Sequence, residues 1–242
     1  MNEFSTRIEP EEFKEWNEEM LKKYDPDAFH HHPNPVVRFI ENKRVIAIIK
    51  LIDIRRKGAR LLEVGCGAGN ILEKAPPEDL FGVDISAFIL AKARRKLGKE
   101  VDLSQADAQN LPFKDRVFEQ VVCSEVLEHI LDPTASLKEI ARILNHQGIA
   151  IVSVPNELWI NRLKRVLIRL GIFNWLLHRG GGYGEMPENM GDEWHLHAFS
   201  LQEWLALFSD FFRVTRLKRI PFPWLPLRYV IGLEKFDEKD HL

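Results

Sequence analysis

The chain has 242 residues, of which 45% are hydrophobic and 29% are charged, so it is long enough to bury a large core. Its 34 basic residues nearly balance its 36 acidic residues, which disfavours bulk binding of nucleic acid. No stretch of about 18 uncharged apolar residues occurs, so no transmembrane helix is predicted. The lack of Gly/Ser-rich or Pro-rich linkers predicts one domain. Two cysteines and no apolar leader at the start indicate a reducing cytoplasm.

Two segments with helical spacing of apolar residues, 10–24 and 36–52, come first and predict an N-terminal helical cap, although the first could equally form an interface. From residue 60 onward, nearly continuous apolar runs alternate with helical segments, which predicts a doubly wound α/β fold with a mostly parallel sheet. The predicted strands are 60–65, 80–84, 101–105, 117–124 and 149–154, and the predicted helices between them are 70–75, 87–97 and 133–144.

After residue 155 the pattern changes to a long insertion, followed by a helix over 200–209 and two strands, 212–220 and 229–236, that we expect to pair as an edge hairpin. These patterns divide the single domain into a cap (1–57), a core (58–155), a lid insertion (156–198) and a closing helix with hairpin (199–242).

A basic amphipathic helix is predicted at the start of the insertion, in which apolar residues oppose Arg162, Arg165 and Arg169. The simpler interpretation is a lid that packs on the domain with its charges in water. A sharper one is a lid that admits an apolar acceptor or makes peripheral membrane contact through the 158–177 helix. The predicted apolar set comprises Trp159, Leu163, Val166, Leu167 and Leu170, extended by Phe173, Trp175, Leu176 and Leu177, with a glycine-rich run over 180–191.

A glycine turn follows the first predicted strand, with Gly65, Gly67 and Gly69 spaced as G-x-G-x-G and Glu63 two residues ahead. Glycines there let backbone N–H groups approach a ligand closely. The dinucleotide fingerprint G-x-G-x-x-G would instead place its third glycine at Asn70. This spacing favours S-adenosylmethionine over NAD as the ligand.

Carboxylates end the next two predicted strands. Asp84 lies 19 positions after Gly65, where a carboxylate can accept hydrogen bonds from the ribose hydroxyls of an adenosyl ligand. Asp107 follows the third strand, in a loop fixed by Pro112, and could accept the adenine amino group. The fourth strand ends at Ser124, which would lie beside the transferable methyl group.

These blocks, in order and at these distances, resemble the class I S-adenosylmethionine-dependent methyltransferases. The run E-V-L-E-H-I, with Asp132-Pro133 and Val154-Pro155-Asn156, resembles the small-molecule branch that includes quinone-biosynthesis methyltransferases. The resemblance implies a Rossmann-like seven-stranded sheet with an antiparallel last strand. The cofactor contacts expected from it are Glu63, Gly65, Cys66, Gly67, Gly69, Asp84, Ile85, Asp107, Ala108, Ser124 and Glu125, with Arg38 and Arg44 as alternative partners of the methionine carboxylate.

A general base would help methyl transfer to oxygen or nitrogen, and histidine is the side chain best matched to neutral pH. His129 follows Glu125 by four positions, although it could instead cap a short helix against the sheet. His195 stands in a segment that resembles the histidine-bearing entry to the last helix of the family, which implies a place at the acceptor pocket. Both are candidate catalytic residues.

A metal site is not predicted. His195 and His197, with Glu193, alternate as ligands on one side of a strand would, but no third and fourth ligand can be identified from the sequence. The run 30–32 is three histidines and is interpreted as a loop or cap sequence, over the cofactor.

The predicted function is S-adenosylmethionine-dependent methyl transfer to a small-molecule acceptor, quinol-like or lipid-like, most simply on oxygen. Methylation of nucleic-acid bases is disfavoured, because residues 124–127 read S-E-V-L where those enzymes carry [N/D]-P-P-[Y/F]. Two alternatives remain: a catalytically silent module that binds an adenosyl ligand, and a nicotinamide-dependent oxidoreductase, for which no catalytic Tyr/Lys pair is evident.

Overall fold

A computed structural model describes residues 8–25, 27–53, 58–76, 79–171 and 194–236. Its centre is a seven-stranded sheet in the order β3-β2-β1-β4-β5-β7-β6. Strands β1 to β5 are parallel, whereas β7 runs antiparallel to both β5 and β6, so the predicted sheet with an antiparallel last strand is confirmed. The strands are β1 (Arg60–Val64), β2 (Asp79–Asp84), β3 (Val101–Gln105), β4 (Phe118–Ser124), β5 (Leu144–Pro155), β6 (Phe212–Phe222) and β7 (Leu225–Lys235).

Several of the described helices begin at residues whose side chains accept from their first N–H groups, whereas α1 has no such cap. Asn34 accepts from the N–H of Val36, Ser86 accepts from that of Ile89, and Ser200 forms a reciprocal capping box with Glu203. The described helices are α1 (Phe13–Tyr24), α2 (Asp27–His30), α3 (Pro35–Ile49), α4 (Ala87–Leu97), α5 (Pro133–Ile143), α6 (Glu157–Arg169) and α7 (Leu201–Ser209). None of these described helices is both long and apolar enough to cross a bilayer.

The connection after β1 differs from the sequence prediction. A helix was expected over 70–75, but the structure has a single 3-10 turn, Leu72–Lys74. Ala75 is already extended, with ψ at 148°. The reason is Pro76, because a proline disfavours the helical conformation of the residue before it and offers no N–H.

Helices cover both faces of the sheet. On one face, α5 and α7 contribute Leu137, Ile140, Trp204 and Phe208 to a core built on the central strands. On the other face, α3 and α4 contribute a second cluster that includes Ile48. Burial on both faces explains why the parallel strands are nearly continuous apolar runs.

Helix α1 packs near the carboxyl ends of the first strands of the sheet. Its residues Leu21 and Tyr24 form a buried cluster with Ala68 of the glycine turn and with Trp194, whose ring stacks on Tyr24 at 5.8 Å between centroids. The N-terminal segment therefore covers the carboxyl ends of β1 and β2, where ligands bind in open α/β sheets.

Candidate active site

A cavity of about 400 Å³ opens at the carboxyl ends of β1, β2 and β4. It is lined by most of the residues that the sequence predicts as cofactor contacts, namely Arg44, Glu63, Gly65, Cys66, Gly67, Asp84, Ile85, Asp107, Ala108, Ser124 and Glu125. Two predicted contacts, Arg38 and Gly69, are not among the lining residues. The strand topology thus brings four separate sequence blocks to one place.

The glycine turn forms the floor of the cavity. Gly65 has φ at +68°, and a Cβ atom there would lie 2.3 Å from Cγ2 of Val126. Gly67, with φ at +51°, donates its backbone N–H to Oδ2 of Asp84 at 2.9 Å. Only glycine fits position 65, because both the backbone conformation and the neighbouring side chain exclude a larger residue.

Replacing Gly65 with alanine is expected to lower the free energy of unfolding by about 2–5 kcal/mol. The left-handed backbone contributes about 1–2 kcal/mol and the overpacking against Val126 about 1–3 kcal/mol. Urea unfolding of Gly65→Ala and of the matched control Gly98→Ala would measure the difference. Gly98 has φ at +66° but open space around its Cβ position, so the control should lose only the backbone contribution. Equal losses in the two variants would contradict the proposed clash.

Asp84 is buried and accepts two backbone hydrogen bonds, from Gly67 at 2.9 Å and from Ser86 at 2.9 Å. Burial raises the pKa of its carboxyl group to about 6, although the N–H groups of Ser86 and Gly67 oppose the shift. The carboxylate has further lone pairs, which can accept hydroxyl groups from a ligand.

Glu63 is a second buried carboxyl group on the cavity wall, and burial raises its pKa well above the usual range. Its Oε2 has no hydrogen-bond partner among the described residues. A buried oxygen of this kind needs a donor, which a ligand ammonium group would supply. Together with the glycine floor and Asp84, this orphaned oxygen fits an amino-acid-bearing nucleoside such as S-adenosylmethionine.

The structure separates the two arginine candidates. Arg44 is buried at the cavity, where it donates to Oγ of Ser124 and pairs with Oε2 of Glu41 at 2.7 Å. Arg38 instead donates to the backbone carbonyl groups of His32 and Pro33. Arg44 is therefore placed to meet a ligand carboxylate, whereas Arg38 organises the loop before α3.

The wall opposite the glycine turn holds ionic residues that the sequence analysis missed. Arg228 of β7 pairs through Nη2 with Oε1 of Glu41 at 2.9 Å and through Nε with Oε2 of Glu125 at 2.9 Å. Glu125, which has φ at +56°, also accepts from Oγ of Ser153 at 2.8 Å. No motif marks Glu41 or Arg228, because their role arises only when α3 and β7 meet.

Both candidate catalytic histidines lie at the cavity. Nδ1 of His195 contacts Oε1 of Glu157 at 2.6 Å, and Nδ1 of His129 contacts the carbonyl oxygen of Trp194 at 3.2 Å. The two imidazole centroids are 4.7 Å apart. Burial and the neighbouring His195 hold the pKa of His129 well below its usual range. Glu157, which follows Asn156 at the end of β5, was not singled out from the sequence.

The remaining histidines considered in the sequence analysis have different neighbours. Nε2 of His197 lies 2.7 Å from the carbonyl oxygen of Ile130, so His197 points away from His195. His30 lines the cavity, and burial lowers the pKa of its imidazole to about 4. His32 accepts from the N–H of Asn34 at 3.0 Å. Glu193 lies outside the described residues.

Helix α6 lines the cavity with the apolar residues Ile160, Leu163 and Leu167 and with the polar residues Glu157, Asn161 and Lys164. Arg162, Arg165 and Arg169 are exposed, as expected. The predicted buried face is partly wrong, because Val166 and Leu170 are 50% and 65% exposed rather than packed on the domain. The predicted extension over 173–177 and the glycine-rich run over 180–191 lie outside the described residues.

Comparison with known proteins relates this chain to methyltransferases. Residues 62–152 match the family model of a methyltransferase domain. An uncharacterized protein of Methanocaldococcus jannaschii is 30% identical over 155 residues, which are 63% of each chain. The ubiquinone biosynthesis O-methyltransferase of Rhodopseudomonas palustris is 27% identical over 60% of this chain and 58% of its own length. The alignments cover less than two thirds of these curated relatives' own lengths.

Among solved structures, an S-adenosylmethionine-dependent methyltransferase of Thermotoga maritima is similar, with a TM-score of 0.63 and 20% identity, over 93% of this chain and 100% of the other. The strand order is that of a Rossmann-like fold, and the cavity lies at the carboxyl ends of its strands. The chain therefore has the fold of S-adenosylmethionine-dependent methyltransferases, and its residues 62–152 are similar to a methyltransferase domain.

Proposed function

We propose that this chain transfers a methyl group from S-adenosylmethionine to an oxygen atom of a small, largely apolar acceptor. The observation that carries the proposal is a single cavity with two unlike parts. One part of its lining has the glycine floor, Asp84 and the unpaired oxygen of Glu63. Another part is α6, which contributes Ile160, Leu163 and Leu167 together with the polar Asn161 and Lys164. Such a cavity can hold a polar nucleoside and an apolar acceptor side by side.

S-adenosylmethionine, when bound, supplies a methyl group on a sulfonium that is already a good leaving group. The protein therefore needs to align the acceptor and exclude water, and orientation alone can lower the barrier by about 7–11 kcal/mol. Because Nδ1 of His129 and of His195 each faces an oxygen acceptor, the Nδ1 atom carries the hydrogen and Nε2 keeps a lone pair. Either Nε2 could take the acceptor's proton.

The acceptor class rests on the apolar residues of α6 that line the cavity and on distant relatives. Ile160, Leu163 and Leu167 offer no hydrogen-bonding groups, so they favour an apolar ring or chain. The name of the Rhodopseudomonas palustris relative places it in ubiquinone biosynthesis. A quinol-like or lipid-like acceptor is therefore the first class to test.

The deciding experiment has two stages. Calorimetric titration with S-adenosylhomocysteine, then with NAD, should show binding of the first and none of the second. The protein is then incubated with methyl-labelled cofactor and quinol or lipid extracts, and label should move to an acceptor. Binding of NAD instead would favour an oxidoreductase. Cofactor binding without transfer to any acceptor would favour a silent adenosyl-binding module.

We also propose that α6 contacts an anionic membrane surface peripherally, on the cytoplasmic side. Its exposed apolar residues Leu158, Val166 and Leu170 lie on the same helix as Arg162, Arg165 and Arg169. Apolar side chains beside cations are the composition of helices that lie in the headgroup region. An apolar acceptor could then pass from the bilayer into the cavity along α6.

This contact predicts co-sedimentation with anionic vesicles at low salt, weakened by salt because surface charges are screened. The double variant Leu158→Ser, Val166→Ser should sediment less than the wild-type protein. Val214→Ser, at a half-exposed apolar site on β6, serves as the control and should sediment as wild type does. Wild-type protein that stays in the supernatant would rule out the membrane contact.

A further inference from the structure

Three potential metal ligands meet at the acceptor end of the cavity. Glu128, His129 and His195 each offer one ligand atom, and these atoms all lie within 4.8 Å of one another. The Oε1 atom of Glu128 is 4.0 Å from Nε2 of His129. Two ligands come from the turn after β4 and the third from the segment before α7, so the tertiary fold assembles them.

The contacts of the two imidazoles are those that metal-binding histidines usually make. A ligating histidine commonly donates its other ring N–H to a carboxylate or a backbone carbonyl, which fixes the ring and its tautomer. His195 has its Nδ1 at 2.6 Å from Glu157, and His129 has its Nδ1 at 3.2 Å from the carbonyl oxygen of Trp194. Both Nε2 atoms are therefore left to bind something else.

One oxygen of the Glu128 carboxylate also lacks a partner among the described residues. The side chain of Glu128 is 1% exposed, and the unpaired oxygen is Oε2. A buried unpaired carboxylate oxygen is costly, so it indicates a missing cation or donor. The carbonyl oxygen of Glu128 accepts from the N–H groups of Leu196 and His197, at 2.7 and 3.1 Å, which holds the His195 segment beside it.

We propose that Glu128, His129 and His195 bind a divalent transition metal, for which Zn²⁺ is the best match. Two imidazoles and one carboxylate form the ligand set of open zinc sites, in which the fourth position is left for water or substrate. Magnesium and calcium are poorer candidates, because they prefer oxygen ligands throughout. All three residues line the cavity, so the open position faces the acceptor.

The spacing requires only small movements of side chains. Metal bonds of about 2.1 Å in tetrahedral geometry place ligand atoms about 3.4 Å apart. The 4.0 Å between Glu128 and His129 is close to this value. The sequence offers His195 and His197 as possible ligands but predicts no metal site, and in the structure His197 contacts the carbonyl oxygen of Ile130.

The site is defined by geometry and does not depend on the proposed methyl transfer. A metal would occupy the Nε2 atoms of His129 and His195, so metal binding and a base role exclude each other at the same histidine. With a metal bound, His129 and His195 would act as ligands and Glu157 as a positioning residue.

The test measures metal binding directly. Metal-stripped full-length protein is titrated with Zn²⁺ by calorimetry, and with Co²⁺ while visible absorption is recorded. We expect one equivalent to bind, with Co²⁺ bands typical of four or five ligands. Glu128→Gln and His195→Asn should each abolish this site. Glu157→Gln should weaken Zn²⁺ affinity about 10–100-fold, because it removes only the support of His195.

The experiment includes a control variant on the surface and a second titration that checks folding. His146→Asn, at an exposed position, should bind Zn²⁺ as the wild-type protein does. Titration of every variant with S-adenosylhomocysteine reports whether the fold and the cofactor end remain intact. No stoichiometric binding by wild type, or unchanged binding by folded Glu128→Gln and His195→Asn, overturns the metal site. Because that titration is independent, a failed metal site leaves the proposed function standing.

Discussion

Replacing Arg228 with methionine is expected to lower the free energy of unfolding by about 2–4 kcal/mol. The pairs are partly buried, with side chains 20% exposed at Arg228, 4% at Glu41 and 18% at Glu125, so the cost should fall between those of exposed and fully buried ion pairs. Arg228 lies 2.9 Å from carboxylate oxygens of both Glu41 and Glu125. Methionine keeps most of the volume of the arginine side chain but removes the positive charge that is paired with these carboxylates. Glu41 retains Arg44, so the larger loss falls on Glu125. Urea denaturation would measure the change.

The matched control is Arg213→Met, at another arginine of the closing hairpin. Arg213 pairs with Glu234 at 2.8 Å, but the two side chains are 66% and 43% exposed. Exposed pairs contribute about 0–1 kcal/mol, so the control should be nearly neutral. A loss at Arg228 as small as that at Arg213 would show that the buried network does not stabilise the fold.

Replacing Asp84 with asparagine is expected to weaken the binding of S-adenosylhomocysteine more than 100-fold, which corresponds to about 3 kcal/mol. A carboxylate accepts both ribose hydroxyls through charge-assisted bonds, whereas the neutral amide offers one acceptor oxygen and no charge. Calorimetric titration would measure the affinity. Asp102→Asn, at an exposed position on the neighbouring strand β3, should bind as wild type does.

Stability should respond differently from affinity in this variant. Burial raises the pKa of Asp84 from 3.8 to about 6, so ionisation of Asp84 costs folding free energy at neutral pH. This cost decreases as the pH falls below about 6 and is lost near pH 3.8. Asparagine removes this cost but leaves the N–H of either Gly67 or Ser86 without its acceptor, which costs about 1–3 kcal/mol. We expect the two effects to offset each other and the stability at pH 7 to change little. A Tm that falls sharply in Asp84→Asn would mean that weaker binding reflects a damaged fold.

The same shift predicts a pH dependence of cofactor affinity. As the pH falls through about 6, Asp84 takes up a proton and loses the charge that, under the proposed function, would strengthen its bonds to the ribose. Affinity for S-adenosylhomocysteine should therefore decrease from pH 7.5 to pH 5. The decrease should be smaller in Asp84→Asn, and an identical profile in both proteins would exclude Asp84 as its cause.

The residues proposed to contact the cofactor could be predicted from the sequence because each lies in a short local motif. The glycine turn directly follows one buried strand, and an acidic residue directly follows the next. When the strands are parallel, both positions lie at the carboxyl ends of the strands, where ligands bind. The structure brings Gly65, Asp84 and Asp107 to one cavity, as expected. The predicted helix after β1 failed for an equally local reason, the disfavoured helical conformation before Pro76.

The contacts at the proposed acceptor side were much harder to predict, because they join residues that are far apart in the chain. His195 was expected near the acceptor, but its partner Glu157 is 38 positions away and lies in no recognised motif. Arg228 meets Glu41 only because β7 inserts between β5 and β6 beside α3. Hydrophobic periodicity also predicted the buried face of α6 only in part, because Val166 and Leu170 are exposed.

The amino-acid sequence alone determined the alternation of strands and helices, the class of fold and the position of the cofactor turn. Each of these follows from hydrophobic periodicity and from backbone conformations that only certain residues adopt. The tertiary structure decided which of Arg38 and Arg44 reaches the cavity, and that Glu128, His129 and His195 converge. Such pairings depend on the packing of distant segments, which local pattern does not specify.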